Sequence, residues 1–126
     1  FDLCRLAQAA GATFVARGTA AGIEPLQDTI EQGVRHTGFS FIEAVVPCPT
    51  EYGKRNMPGG VLAMLDDEKA RTIPVTEAAG LTPEELGGKI VTGILHHETG
   101  RPEFQRSYAS IIERAQAEAA EEAEGV

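Results

Sequence analysis

The sequence of 126 residues has no tryptophan, two methionines and two cysteines. Two cysteines, Cys4 and Cys48, are too few for a disulfide framework, and their spacing matches no zinc site. No apolar run approaches the roughly 20 residues that a membrane-spanning helix needs, and no signal peptide is visible. From the sequence alone we therefore expect a cytoplasmic protein with no membrane contact.

Positive charge is also scarce, with 11 Lys and Arg against 19 Asp and Glu, a formal net charge of −8. Nucleic-acid binding relies on cations that contact phosphates, so this balance argues against nucleic acid as a partner. The hydrophobic share of 42% fits one globular domain with a modest core. The sequence starts at Phe1, already in a helical pattern, which we interpret as part of a longer chain.

The first half of the sequence alternates helical and strand patterns. Asp2 is a candidate cap for a first helix that ends at Gly11. The short apolar segment 12–17 predicts a buried strand, and segment 39–46 is apolar on both faces, like a parallel strand covered by helices on both sides. Strand, helix and strand at this spacing predict a right-handed crossover. The fold class is therefore α/β, with part of a doubly wound parallel sheet.

The helix between these strands is expected to start near Pro25, a residue suited to the first helical turn, and to end at Gly38. Its apolar face is assigned to four residues, Ile23, Leu26, Ile30 and Val34. The second half of the chain is less regular and forms a C-terminal helical extension. It predicts, in order, a helix over 61–71, an irregular connection over 73–80, a capping box and a short helical turn at 82–85, an edge strand over 89–95, a last helix after Pro102, and a disordered acidic tail.

The segment Pro47-Cys48-Pro49-Thr50 directly follows the second predicted strand. In parallel α/β sheets, ligands bind in the crevice beyond the carboxyl ends of the strands. A cysteine that only fills space is expected inside a strand or helix, whereas Cys48 lies in the loop. The flanking prolines fix φ near −65° and restrict the loop. This position makes Cys48 the first candidate for a functional residue.

Two stretches, FDLCRLAQAAGATFVARG and GFSFIEAVVPCPTEYGKRN, closely resemble the thiamine-diphosphate-binding beta subunits of 2-oxoacid:ferredoxin oxidoreductases, and most of all the 2-oxoglutarate branch. The resemblance continues more weakly through GKIVTGIL and the last helix. It implies that residues 1–56 are the C-terminal part of a thiamine-diphosphate-binding domain, that 57–114 are a C-terminal extension, and that 115–126 are the tail. The family's Gly-Asp-Gly motif and CxxC pair lie upstream, and the sequence lacks both. The chain is therefore expected to be inactive alone.

The resemblance implies oxidative decarboxylation of 2-oxoglutarate to succinyl-CoA, with electrons passed to ferredoxin. The implied cofactors are thiamine diphosphate with Mg²⁺ and a 4Fe–4S cluster in the intact complex, and none in the isolated chain. The implied partners are the N-terminal half of the same subunit, the alpha subunit, ferredoxin, coenzyme A and a 2-oxoacid. Two alternatives stay open: a pyruvate or branched-chain 2-oxoacid enzyme of the same family, and a non-catalytic α/β interaction module.

The resemblance also assigns candidate residues. Cys48 corresponds in position to the last ligand of the 4Fe–4S cluster, which needs thiolates at fixed places. Arg17, Lys54 and Arg55 are candidates to attract an anionic substrate or coenzyme A, although a solvated turn is the simpler explanation for the Lys-Arg pair.

Two further signals have structural explanations. The helical spacing of Cys4 beside apolar residues predicts a small buried side chain rather than a reactive one. The run His96-His97-Glu98 suggests a metal site at first sight. Adjacent residues on a strand point to opposite faces, however, and a third ligand is missing. We interpret this run as a solvated strand end.

Overall fold

The computed structural model describes residues 1–124 of the chain as a mixed α/β fold. Its four-stranded sheet has the order β2-β1-β4-β3, with bounds β1 Phe14–Thr19, β2 Ser40–Val45, β3 Thr72–Pro74 and β4 Ile90–His97. β1 pairs in parallel with β2, and β3 in parallel with β4, whereas β1 and β4 are antiparallel. The α/β class and the parallel pairing of the first two strands are confirmed, and β4 makes the sheet mixed.

Six helices surround or extend from this sheet: α1 Leu3–Ala9, α2 Ile23–Arg35, α3 Lys54–Asn56, α4 Gly60–Arg71, α5 Val75–Ala78 and α6 Phe104–Glu124. The first helix starts where the sequence predicts, because the Asp2 side chain accepts a hydrogen bond from the backbone N–H of Arg5. Among the described helices, none combines the length and apolar character that would let it cross a membrane.

The core lies around β1, the most buried strand of the sheet. Phe14 and Val15 are both fully buried. They are adjacent in a strand and so point to opposite faces, which means that β1 is covered on both sides. On one face Val15 packs with Cys4 and Ala12. On the other, Phe14 contacts the region of Gly33 in α2.

The apolar face assigned to α2 is wrong in three of its four residues. Leu26 is buried, but Ile23, Ile30 and Val34 are exposed, and the helix instead buries Leu26, Thr29 and Gly33. The reason is that α2 lies very close to the sheet at Gly33, where an added Cβ would be 2.6 Å from Cδ1 of Ile42 in β2. A face of small residues lets the helix lie directly on the sheet, and that outweighs the pattern of larger apolar residues.

The second half departs from the sequence prediction at two elements. Segment 73–80 was expected to be irregular, yet it contains the end of β3 and the helix α5. The strand over 89–95 was expected at an edge, yet β4 lies between β1 and β3. β3 has only three residues, so its hydrophobic pattern is too short to recognise. β3 and β4 therefore join the predicted C-terminal extension to the same sheet as β1 and β2.

The capping box forms as predicted, since the Thr82 N–H donates to Oε2 of Glu85 at 2.8 Å and the Glu85 N–H donates to Oγ1 of Thr82 at 3.3 Å. It closes hydrogen-bonded turns rather than a helical turn. The last helix, α6, follows Pro102 as predicted and continues to Glu124, so 115–124 are helical where the sequence alone favoured disorder. The last two residues lie outside the described part. The domain boundaries at 56 and 114 stay a prediction.

Candidate functional site at Cys48

Cys48 lies in the loop that follows β2, at the carboxyl end of the parallel pair. The chain then forms a single wide helical turn over Pro49–Gly53, closed by a hydrogen bond of 2.9 Å from the Gly53 N–H to the Cys48 carbonyl. α3 follows immediately. The thiol of Cys48 is free and exposed to solvent. The sequence therefore predicts correctly that this cysteine is presented by the loop rather than packed in an element.

The loop is held in place from below by α4. Gly53 is buried, and a Cβ at this position would lie 2.5 Å from Sδ of Met64. Asn56 adds a hydrogen bond of 2.9 Å from Nδ2 to the Tyr52 carbonyl. Between the loop and α4 lies a cleft of about 270 Å³ that is lined by Cys48, Tyr52, Met64, Glu68 and Arg71, among others. The thiol thus borders a small cleft on a fixed support.

The turn also changes the acidity of the thiol. Hydrogen bonds from the backbone N–H groups of Glu51 and Tyr52, followed by the Thr50 hydroxyl, lower the pKa of Cys48 from 9.0 to about 7. The Sγ to Oγ1 distance to Thr50 is 3.8 Å. Pro47 and Pro49 have no N–H to donate, so the stabilising donors come from the residues after Pro49. At neutral pH a large fraction of Cys48 is thiolate, the form that binds soft metals and acts as a nucleophile.

Cys4 has the opposite environment. It is buried, with Sγ 3.7 Å from the Ala16 carbonyl oxygen and 3.4 Å from Oε2 of Glu43. Burial is the main reason that the pKa of Cys4 rises from 9.0 to about 11. This confirms the expected small buried side chain. Of the two cysteines, only Cys48 is therefore suited to bind a metal as a thiolate. It can supply one of the four ligands of an iron–sulfur cluster.

Arg17 lies apart from Cys48. It is the fourth residue of β1, and its side chain is only 15% exposed, with Nε 2.6 Å from Oε2 of Glu43 and Nη2 2.9 Å from Oδ1 of Asp2. It lines a separate cleft with Asp2 and Cys4. Arg17 does not line the cleft beside Cys48. The register of β1 on β2 places Arg17 opposite Glu43, so the guanidinium is already paired. Anion binding by Arg17 stays a prediction.

Lys54 and Arg55 form the start of α3, directly after the turn. Nη2 of Arg55 is 2.9 Å from Oε2 of Glu51, and both side chains are mostly exposed. Exposed pairs of this kind are weak, so an anion can compete for Arg55 at little cost. The structure brings both cations next to the Cys48 loop, and their role toward an anion stays a prediction.

His96 and His97 point to opposite faces of β4, as expected. Nδ1 of His96 lies 3.2 Å from Nε2 of Gln8. The ring of His97 lies 5.1 Å from that of His36 and 5.6 Å from that of Phe14, centroid to centroid. No group of three potential metal ligands occurs in the described part of the chain. The proximity of His36 and His97 was not predicted, because only the pairing of β4 with β1 brings them together.

Comparison with known proteins gives related sequences over most of the chain. The chain is 40% identical over 117 residues to the 2-oxoglutarate synthase subunit KorB of Methanocaldococcus jannaschii, a match that covers 93% of this chain and 43% of that protein. KorB of Methanothermobacter marburgensis is 40% identical over 116 residues, 91% of this chain and 40% of the relative. A 2-oxoacid:ferredoxin oxidoreductase subunit beta from a Sulfolobus species is 34% identical over 89 residues, 71% of this chain and 28% of that protein.

No family model matches the chain, and no solved structure does. The chain spans about two fifths of the length of the two KorB proteins. The resemblance predicted from the sequence is confirmed by relatives that align with nearly all of the chain. The chain is a homologue of the beta subunits of 2-oxoacid:ferredoxin oxidoreductases and corresponds to a segment of them.

Proposed function

We propose that the chain is the C-terminal part of the beta subunit of a 2-oxoglutarate:ferredoxin oxidoreductase and that Cys48 is one ligand of its 4Fe–4S cluster. The observation that carries the proposal is the exposed Cys48 thiol in the Pro47-Cys48-Pro49-Thr50 loop after β2, within a chain whose relatives are named 2-oxoglutarate synthase subunit KorB. The complete complex oxidatively decarboxylates 2-oxoglutarate to succinyl-CoA.

The residues of this chain contribute support for a ligand. The turn Pro49–Gly53 aims N–H groups at the Cys48 sulfur, and such hydrogen bonds favour the thiolate. They would also help to set the reduction potential of a bound cluster, because hydrogen bonds to the ligating sulfurs are one of its determinants. Packing of Gly53 on Met64 keeps the turn from shifting. Thiamine diphosphate with Mg²⁺ and the cluster supply the carbanion and one-electron chemistry when they are bound. This 126-residue sequence has no Gly-Asp-Gly, so it does not include the Gly-Asp-Gly motif for thiamine diphosphate.

The partners follow from this assignment. The N-terminal half of the same subunit carries the remaining cofactor ligands, and an alpha subunit completes the complex. Ferredoxin accepts the electrons, coenzyme A accepts the acyl group, and the complex is cytoplasmic. Lys54 and Arg55 directly follow the turn Pro49–Gly53. Their positive charge there would attract a carboxylate or phosphate group. Arg17 already contacts two carboxylates, so an anion would have to compete with them for its guanidinium.

The substrate is tested with the complete complex. We would purify the whole beta subunit with its alpha subunit under anaerobic conditions and follow coenzyme-A-dependent reduction of ferredoxin with 2-oxoglutarate, pyruvate and a branched-chain 2-oxoacid in parallel. We expect the highest kcat/KM for 2-oxoglutarate. Preference for one of the other acids would move the chain to another branch of the family. No reduction with any of them, in a complex that holds its cofactors, would favour the non-catalytic interaction module.

A further inference from the structure

A second cleft lies at the opposite end of the sheet from Cys48. It is bordered by Phe14 at the start of β1, by Thr37 before β2 and by His97 at the end of the antiparallel β4. The segment 99–102 and the first turn of α6 close its other side. The cleft has a volume of about 690 Å³, within the range of small-molecule binding sites.

This cleft concentrates positive charge in an acidic protein. Arg35, Arg101 and Arg106 line it, together with His36 and His97, which are two of the three histidines of the chain. Among the described residues that line it, there is no Asp or Glu. The chain as a whole has a net charge of −8, so the charge of this cleft is opposite to that of the whole chain. A cleft lined by charge of one sign concentrates ligands of the opposite sign.

Two of the arginines have carboxylate partners outside the cleft. Nη2 of Arg35 is 2.5 Å from Oε1 of Glu31, and Nε of Arg101 is 3.0 Å from Oε1 of Glu98. In both pairs the side chains are 41% exposed or more. Exposed pairs contribute little to stability, so both arginines can rotate toward a ligand at small cost. Arg106 lies in the first turn of α6, and its side chain is exposed.

The two histidines of the cleft lie next to each other. Nε2 of His36 is hydrogen-bonded to Oγ1 of Thr13 at 2.8 Å. The His36 ring also lies 5.5 Å from the buried Phe14 ring and 5.1 Å from that of His97. These contacts restrict the imidazoles before any ligand arrives, and a preorganised site loses less entropy on binding.

We propose that this cleft binds a phosphate-bearing polyanion of the diphosphate class. Arginine presents a planar fork of N–H donors that matches phosphate oxygens, and three of them around one cleft suit a ligand with several adjacent charges. The volume exceeds that of a single carboxylate and accommodates a diphosphate with an attached group. The proposal is independent of Cys48, because the two sites lie at opposite ends of the sheet.

Calorimetric titration with inorganic pyrophosphate tests the proposal. The protein is the complete subunit with its alpha subunit, saturated with thiamine diphosphate and Mg²⁺ so that the cofactor's own diphosphate site is filled. The variants are Arg35→Gln and Arg106→Gln, with Arg114→Gln as the matched control on the same helix, outside the cleft. Removal of one charged hydrogen-bond donor should weaken binding about tenfold, and the control should bind like the unchanged protein.

Each result has a definite meaning. Tenfold weaker binding in the two cleft variants, with the control unchanged, supports the site. Absence of pyrophosphate binding, equal affinity in all variants, or an equal loss in Arg114→Gln would overturn it. Succinate is titrated in parallel, and succinate binding as tight as that of pyrophosphate would show that the cleft is not selective for phosphate.

Discussion

Arg17 and Glu43 form an ion pair that can be compared with a second Arg–Glu pair in the same chain. In the first pair, Nε and Oε2 are 2.6 Å apart, and the two side chains are 15% and 24% exposed. In the second, Arg35 and Glu31 are 2.5 Å apart, with 76% and 55% exposure. Both pairs join an arginine to a glutamate at nearly the same distance. They differ in burial, in the second carboxylate, Asp2, that Arg17 also contacts, and in the i,i+4 spacing of the exposed pair. A double-mutant cycle with Arg→Met and Glu→Gln at each pair measures the coupling between its two side chains.

The expected magnitudes follow from the surroundings. At equal separation the attraction grows as the effective dielectric falls, by a factor of about four between water and a value of about 20 near the protein surface. A charge-assisted hydrogen bond out of solvent is worth about 2 kcal/mol, which we expect as the coupling between Arg17 and Glu43. The exposed i,i+4 pair should couple by about 0.4 kcal/mol. Arg17→Met alone should lower the free energy of unfolding by about 3 kcal/mol, because Glu43 and Asp2 lose the cation that pairs with them.

Urea unfolding followed by circular dichroism gives the free energy of unfolding for each variant. The coupling is the part of the double-mutant effect that the single mutants do not explain. Equal coupling energies in the two pairs would contradict this expectation, because burial would then make no difference to the strength of the pair. A small effect of Arg17→Met on stability, combined with a large effect on substrate affinity in the complex, would return Arg17 to the list of anion-binding residues.

Two further predictions concern single positions. The rate of Cys48 alkylation by iodoacetamide should rise with pH, with a midpoint near pH 7, because the N–H donors of its turn lower the pKa of the thiol. Cys4 should stay unmodified until the protein unfolds. A midpoint near pH 9 for Cys48 would contradict this. Gly18→Ala should destabilise the fold by about 2 kcal/mol, because a Cβ there would lie 2.6 Å from Cδ1 and 3.3 Å from Cα of Leu26. Gly80→Ala is the control, because an added Cβ there would have no atom of the described residues, other than its chain neighbours, within 4 Å. It should change the free energy of unfolding little, and similar losses in both variants would contradict the packing argument.

The part of the fold that sequence predicted well is the part governed by local signals. The cap at Asp2, the apolar run of β1 and the prolines around Cys48 all act within a few residues. The position of β4 inside the sheet and the existence of β3 depend instead on pairing between distant segments. Local pattern carries little information about such pairing.

The candidate site divides in the same way. The exposure of Cys48 could be read from its place between two prolines, but its lowered pKa depends on the turn Pro49–Gly53, whose N–H directions no composition rule reveals. The pairing of Arg17 with Glu43 depends on strand register, which the sequence does not show, and anion binding by Arg17 stays a prediction. The basic cleft at the other end of the sheet was missed because its residues come from α2, β4 and α6.

The most direct test of the proposed role of Cys48 is the iron content of the complete beta subunit, purified anaerobically with its alpha subunit, in unchanged, Cys48→Ala and Cys4→Ala forms. We expect about four irons per beta subunit in the unchanged protein, the same in Cys4→Ala, and loss of half or more in Cys48→Ala. Equal yield of folded complex in all three forms excludes a general folding defect. Full iron in Cys48→Ala would contradict the account by removing Cys48 from the cluster.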